Sequence, residues 1–138
     1  MKLLVSACLL GCNCKYNGGN NFCQKVADFV RDQDVISVCP EVLAGLGIPR
    51  EPIEIRDNQV IRRDGESVDS AVRGAVAQIL RELEGQEIDL AVLKARSPTC
   101  GVYQVYDGTF SGVLRDGAGV LAQALIDRGI SVTDDERL

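Results

Sequence analysis

Short apolar runs recur along the chain at intervals that suit buried strands. They cover residues 3–7 ("LLVSA"), 34–39 ("DVISVC"), 89–95 ("DLAVLKA") and 130–133 ("ISVT"). Apolar, β-branched runs of this length that end at turn residues are typical of strands covered on both faces. The pattern therefore predicts four buried strands.

Between these runs, apolar residues recur every three or four positions, which predicts three helices. The first begins at an N-cap formed by Asn20 or Asn21 and ends near residue 32. The second begins after the N-cap Ser67 and stops at Gly85, and the third covers about residues 120–128. The predicted apolar face of the first helix consists of Phe22, Val26, Phe29 and Val30.

A different pattern follows residue 52, where "IEIR" and "QVIRR" alternate apolar and polar positions around Asp57 and Asn58. This predicts a hairpin. The order of elements as a whole predicts an α/β fold in three layers: a mainly parallel, Rossmann-like sheet with helices on both faces and a small edge hairpin. At 138 residues we expect a single domain, residues 1–138.

Composition narrows the classes of function. Hydrophobic residues make up 46% of the chain and charged residues 25%, as in ordinary globular proteins. The net charge of −5, with one small basic cluster at Arg62 and Arg63, disfavours nucleic acid as a partner. The opening "MKLLVSACLLG" is too short to span a membrane and lacks a cleavage signal. We interpret it as a buried strand and expect a cytoplasmic protein without membrane contact.

The chain has six cysteines and no histidine. The missing histidine excludes Ser–His–Asp triads, Cys–His dyads and every zinc site that needs an imidazole. Three of the cysteines lie at the ends of predicted strands: Cys8 follows the first, Cys39 ends the second, and Cys100 lies in the loop after the third. Because parallel strands end at the same edge of a sheet, where ligands bind, we expect these thiols to share one site.

Several kinds of site compete for these thiols. Buried cysteine is common simply as a small apolar residue, and a cytoplasmic chain of this length does not need disulfides. A redox pair is disfavoured because no CxxC motif is present. Structural zinc usually takes four ligands at paired spacings, whereas three thiolates suit an iron–sulfur cluster with one iron left open. Single-iron and zinc sites stay open, since ligand type alone does not choose the metal.

The motifs around these cysteines resemble those of a known family. In order along the chain, "VSACLLG", "KYNGG", "VCPEVLAGL", "PREPIEI", "ARSPTCG" and "YDGTFSGVL" are similar to motifs of the small bacterial thiouracil desulfurases of the TudS type. The resemblance extends from residue 1 to about residue 130.

The resemblance implies a 4Fe–4S cluster held by Cys8, Cys39 and Cys100, with one iron not ligated by protein and free to bind the substrate's sulfur. It further implies a catalytic acid–base pair, Glu41 and Ser97, for non-redox desulfuration of thiolated pyrimidines such as 2-thiouracil, which gives uracil and hydrosulfide. A small-molecule thiolated pyrimidine is thus the expected partner, with the protein a monomer or homodimer.

Alternatives remain for individual residues and for the protein as a whole. Glu41 could instead cap the turn after Pro40, and Ser97 could serve as a local turn hydroxyl. The whole protein could instead be a cluster-bearing sulfur carrier or a zinc-stabilised nucleotide-binding module. The remaining cysteines, Cys12, Cys14 and Cys23, receive no role.

Overall fold

A computed structural model describes residues 1–138 and contains eight strands and four α-helices. The strands are β1 Lys2–Ser6, β2 Asp34–Val38, β3 Ile53–Arg56, β4 Gln59–Arg62, β5 Leu90–Leu93, β6 Gln104–Tyr106, β7 Leu114–Asp116 and β8 Val132–Asp134. The helices are α1 Gln24–Val30, α2 Pro40–Leu43, α3 Asp69–Glu82 and α4 Val120–Asp127, and a 3₁₀ turn covers Ala7–Leu10. No helix combines the length and the apolar character that a membrane span requires.

The four predicted strands form one parallel sheet in the order β2-β1-β5-β8. Leu3 on β1 pairs with Val35 on one side and with Leu90 on the other. The chain therefore runs from β1 outward to β2 and later returns to the opposite side of β1. This reversal creates a crevice at the carboxyl ends of the central strands.

Helices cover both faces of the sheet because apolar side chains alternate along its strands. Leu3 and Val5 pack with Val26 of α1 on one face. Leu4 points to the other face and joins the larger core beneath α3 and α4. The predicted three-layer α/β fold is therefore confirmed.

The predicted hairpin is present as β3 and β4, and it forms a two-stranded sheet of its own beside the central one. Asp57 and Asn58 both have positive φ, 51° and 63°, which suits a tight two-residue turn. Ile53, Ile55 and Val60 are buried in the larger core, so the hairpin covers the end of that core.

The predicted start of the first helix was wrong. Helix α1 begins at Gln24 rather than near residue 21, because Asn20 uses its side-chain oxygen to accept a hydrogen bond from the Phe22 N–H at 2.9 Å. This local turn competes with helix capping. Phe22 consequently precedes the helix and is exposed rather than part of its apolar face.

A second hairpin and one short helix were not predicted. The hairpin β6–β7 lies in the glycine-rich stretch before α4, and α2 is a single short helix directly after β2. Both are too short to show a periodic apolar pattern. Helix α2 nevertheless matters, because it begins at the end of a central strand.

Candidate active site

The carboxyl ends of β2, β1 and β5 bring three thiols to one cleft. Cys8 lies in the 3₁₀ turn after β1, Cys39 directly precedes α2, and Cys100 lies in the loop after β5. All three line a cleft of about 450 Å³, which also includes Glu41 and Ser97. This volume is typical of small-molecule sites. Five residues from three motifs therefore meet at the sheet edge expected from the sequence.

Cys100 is buried, whereas Cys8 and Cys39 are half-buried. Burial raises the pKa of Cys100 to about 12, and the neighbouring Cys8 and Glu41 act in the same direction. Burial also raises the pKa of Cys8, an effect to which the nearby Cys39 adds.

The donor set fits a sulfur-ligated metal cluster. Thiolates are soft ligands suited to iron–sulfur clusters and zinc, and protonated thiols release their protons when they bind metal. No three Cys, Asp or Glu side chains come close enough together to hold one metal ion. The three thiols line one cleft, and their soft sulfur donors fit an iron–sulfur cluster.

Glu41 lies at the first turn of α2, with its side chain 15% exposed. Its Oε1 atom accepts a hydrogen bond from the Nε atom of Arg50 at 3.3 Å, and its Oε2 atom accepts one from the Thr99 hydroxyl at 3.2 Å. Neither partner belongs to the turn after Pro40, so Glu41 does not act as the local cap that the sequence left open. Its carboxylate is held inside the cleft from two sides.

Arg50 was missed as a site residue, although the sequence analysis quoted its motif "PREPIEI". Its side chain is only 6% exposed and pairs with Glu41. It also donates to the backbone oxygens of Cys14 at 2.8 Å and Gly47 at 3.0 Å. The planar fork of the guanidinium permits several directed bonds at once. A carboxylate expected in a buried cleft was the signal that a nearby cation should exist.

Ser97 organises the loop that carries Cys100. Its hydroxyl oxygen accepts hydrogen bonds from the backbone N–H groups of Thr99 at 3.2 Å and Cys100 at 3.0 Å. The Ser97 and Thr99 hydroxyl oxygens are 3.1 Å apart. The turn role of Ser97 is therefore observed, and the same side chain faces the cleft.

This loop is fastened to the beginning of α4. The N–H group of Val120 donates to the Pro98 carbonyl at 3.0 Å, and that of Leu121 donates to the Thr99 carbonyl at 2.8 Å. The first N–H groups of a helix have no partner within the helix, so the loop carbonyls satisfy them. Gly119 permits this approach, because a β-carbon there would lie 2.5 Å from the carbonyl carbon of Thr99.

The other cysteines divide into two groups. Cys14 is buried and lines the cleft, and its backbone oxygen accepts a weak hydrogen bond from the Cys39 thiol at 3.9 Å. Burial raises the pKa of Cys14. Cys12 is exposed, and Cys23 packs against the core beneath α1, so neither lines the cleft.

Basic side chains also reach this cleft. Lys94 lines it and pairs with Asp135 at 3.4 Å, so it does not extend freely into solvent. Arg63 lines it as well, whereas Arg62 pairs with the carboxylates that follow it in the turn. Arg63 is exposed and Arg62 is half-buried.

Comparisons with known proteins identify the family to which the chain is similar. The family model for 2-thiouracil desulfurase matches residues 3–137. The chain is 33% identical to the uncharacterized protein YbbK of Bacillus subtilis strain 168 over 146 aligned positions, covering 99% of this chain and 97% of that protein. It is also similar to a solved structure of the [4Fe-4S]-dependent thiouracil desulfidase TudS, with a TM-score of 0.91 and 32% identity, covering 99% of this chain and 92% of that one.

Proposed function

The chain belongs to the 2-thiouracil desulfurase family, and we propose that it removes sulfur from thiolated pyrimidines such as 2-thiouracil. In the proposed reaction, water forms a C–O bond at the ring carbon while the C–S bond breaks. The products are uracil and hydrosulfide, and no electrons are gained or lost overall. The observation that carries this proposal is the meeting of three thiols, a carboxylate and a serine in one cleft.

Cys8, Cys39 and Cys100 would hold a 4Fe–4S cluster that has one iron without a protein ligand. When bound, the cluster would supply a Lewis acid that polarises the C–S bond. The thiols come from three strand ends, and no side chain in the cleft is an obvious fourth ligand of the same kind except Cys14. We assign Cys14 no ligand role, because the recognised ligand motifs contain only the other three.

Glu41 would accept a proton from the attacking water and return one to the ring or to the departing sulfur. Arg50 and Thr99 each contact one carboxylate oxygen, which fixes the orientation of the group. An ionised carboxylate has about four acceptor positions, so room remains for a water molecule.

Ser97 would orient the substrate or pass on a proton. Its oxygen already accepts two backbone hydrogen bonds, so its single hydrogen is the group that it can offer. The cytoplasm is the location that this proposal implies, because thiols remain reduced there.

The test is anaerobic reconstitution with iron and sulfide, followed by 2-thiouracil. We expect the visible absorbance of an iron–sulfur protein, together with release of hydrosulfide and uracil in equal amounts. Cys100→Ala should lose both properties. Cys12→Ala is the matched control and should keep both, because that thiol is exposed and lies outside the cleft.

The outcomes separate the alternatives. Absorbance without hydrosulfide release would contradict the enzyme and favour a sulfur carrier. A colourless protein that binds zinc and loses its fold with chelator would favour the zinc-stabilised module instead.

A further inference from the structure

Thr99 lies between the two proposed acid–base residues, and we propose that its hydroxyl is a positioning group that couples Ser97 to Glu41. This inference rests on the proposed desulfuration reaction. Thr99 is 1% exposed, and its Oγ1 atom lies 3.1 Å from the Ser97 hydroxyl and 3.2 Å from the Glu41 carboxylate. Its hydroxyl is the group that joins these two side chains.

The direction of the first hydrogen bond follows from counting donors and acceptors at Ser97. A hydroxyl has one hydrogen and two lone pairs. Both lone pairs of Ser97 are taken, because its oxygen accepts from the N–H groups of Thr99 and Cys100. The contact between the two hydroxyls must therefore use the Ser97 hydrogen, with Thr99 as the acceptor.

The direction of the second bond follows from the carboxylate. An ionised Glu41 can only accept, so Thr99 donates its hydrogen to Oε2. The competing acceptor is the Cys100 sulfur at 3.7 Å, which is farther away and a weaker acceptor. The chain of donors thus runs from Ser97 through Thr99 to Glu41.

This order gives Thr99 a function in catalysis without contact to the reacting atoms. Its only hydrogen is used on Glu41, so it has none to offer a substrate. Its hydrogen bond keeps Glu41 Oε2 in place. Its oxygen accepts the Ser97 hydrogen bond until a substrate takes over as the acceptor. Because Thr99 is itself buried, bulk water does not readily take the place of a missing hydroxyl there.

A matched pair of variants tests the hydroxyl alone. Thr99→Val keeps the shape and removes the hydroxyl, whereas Thr99→Ser keeps the hydroxyl. After loading to equal iron content, we expect T99V to lower kcat about 10- to 100-fold, as for a lost hydrogen bond to a charged group, with KM changed by less than about threefold. T99S should recover most of that loss.

A double-mutant cycle separates positioning from general damage. Because Thr99 acts through Glu41, T99V should have little further effect on the residual rate of Glu41→Gln. In the unloaded protein, we expect the Thr99 hydroxyl proton to give a slowly exchanging NMR signal that T99V lacks. Thermal melting checks that T99V is folded, and Thr99→Ala serves as a second variant without the hydroxyl if it is not.

The possible results distinguish the role of Thr99 from the proposed desulfuration itself. If loaded T99V and T99A both turn over at the wild-type rate, the positioning role is wrong while the proposed function stands. A reduced rate in T99V that T99S does not recover would also overturn it. If loaded wild-type protein releases no hydrosulfide, the proposed function itself fails, and the role of Thr99 falls with it.

Discussion

Arg50 and Glu41 form an ion pair with little access to solvent, 6% and 15% exposed. Such a pair compensates the cost of burying two charges only when the remaining donors also have partners. Arg50 meets this condition, since it donates to the backbone oxygens of Cys14 and Gly47 as well. The residue therefore ties together three separate segments that border the cleft.

Replacing Arg50 by lysine keeps the positive charge and removes the planar guanidinium with its several donors. We expect Arg50→Lys to lower the free energy of unfolding of the unloaded protein by about 1–3 kcal/mol, because one ammonium group cannot reach all of these acceptors. Urea denaturation measures the change. Arg31→Lys is the matched control: Arg31 pairs with Asp28 on the surface, so a change below about 1 kcal/mol is expected. Equal effects of the two variants would contradict this account of Arg50.

At the scale of elements, helix α4 and the loop that carries Cys100 form one unit. The carbonyls of Pro98 and Thr99 accept the first N–H groups of the helix, and the Gly119 N–H donates to the Gly101 carbonyl at 2.7 Å. Gly119 has an ordinary φ of −70°, so its importance is the close approach and not backbone conformation. The helix thus determines where the loop, and with it Cys100, is held.

Gly119→Ala tests this unit. The added methyl group would overlap the backbone of Pro98 and Thr99, so the loop must shift. We expect a loss of about 1–3 kcal/mol in the free energy of unfolding, together with poorer retention of iron. Gly74→Ala is the control, because Gly74 lies in the middle of α3 on its exposed side, with open space around it.

The two substitutions should change the free energy of unfolding in opposite directions. Gly74→Ala should stabilise the protein by about 0.5–1 kcal/mol through helix propensity, with iron retention unchanged. If Gly119→Ala behaved in the same way, the tight contact between loop and helix would not matter for the site.

At the scale of the whole molecule, the proposed ligands connect distant parts of the chain. Cys8, Cys39 and Cys100 follow three neighbouring strands of the central sheet. A group that binds all three in the folded state and none of them well in the unfolded state must stabilise the whole fold by linkage.

Loading should therefore raise the melting temperature. We expect loaded wild-type protein to melt at least several degrees above unloaded protein, since about 2 kcal/mol shifts the midpoint of a domain of this size by roughly that much. Anaerobic calorimetry before and after chelation measures the difference. Cys12→Ala should show the same increase, and Cys100→Ala a smaller one. An equal increase in both variants would mean that Cys100 is not a ligand.

How far the sequence determines the structure differs between elements. The apolar runs and the helical spacing were sufficient to predict the four parallel strands, α3, α4 and the hairpin turn at Asp57 and Asn58, because burial imposes a period on such segments. The start of α1 was wrong, because the Asn20 side chain forms a local turn instead of capping the helix. Such competition depends on contacts that no period records.

The sequence by itself determined the α/β fold and the convergence of Cys8, Cys39 and Cys100 at one sheet edge, since parallel strands all end on the same side. Only the tertiary structure decided how Arg50 and Thr99 divide the two oxygens of Glu41 between them. Those contacts join residues up to 58 positions apart. They depend on the packing of loops around the cleft, and loops carry no apolar period from which their mutual approach could be predicted.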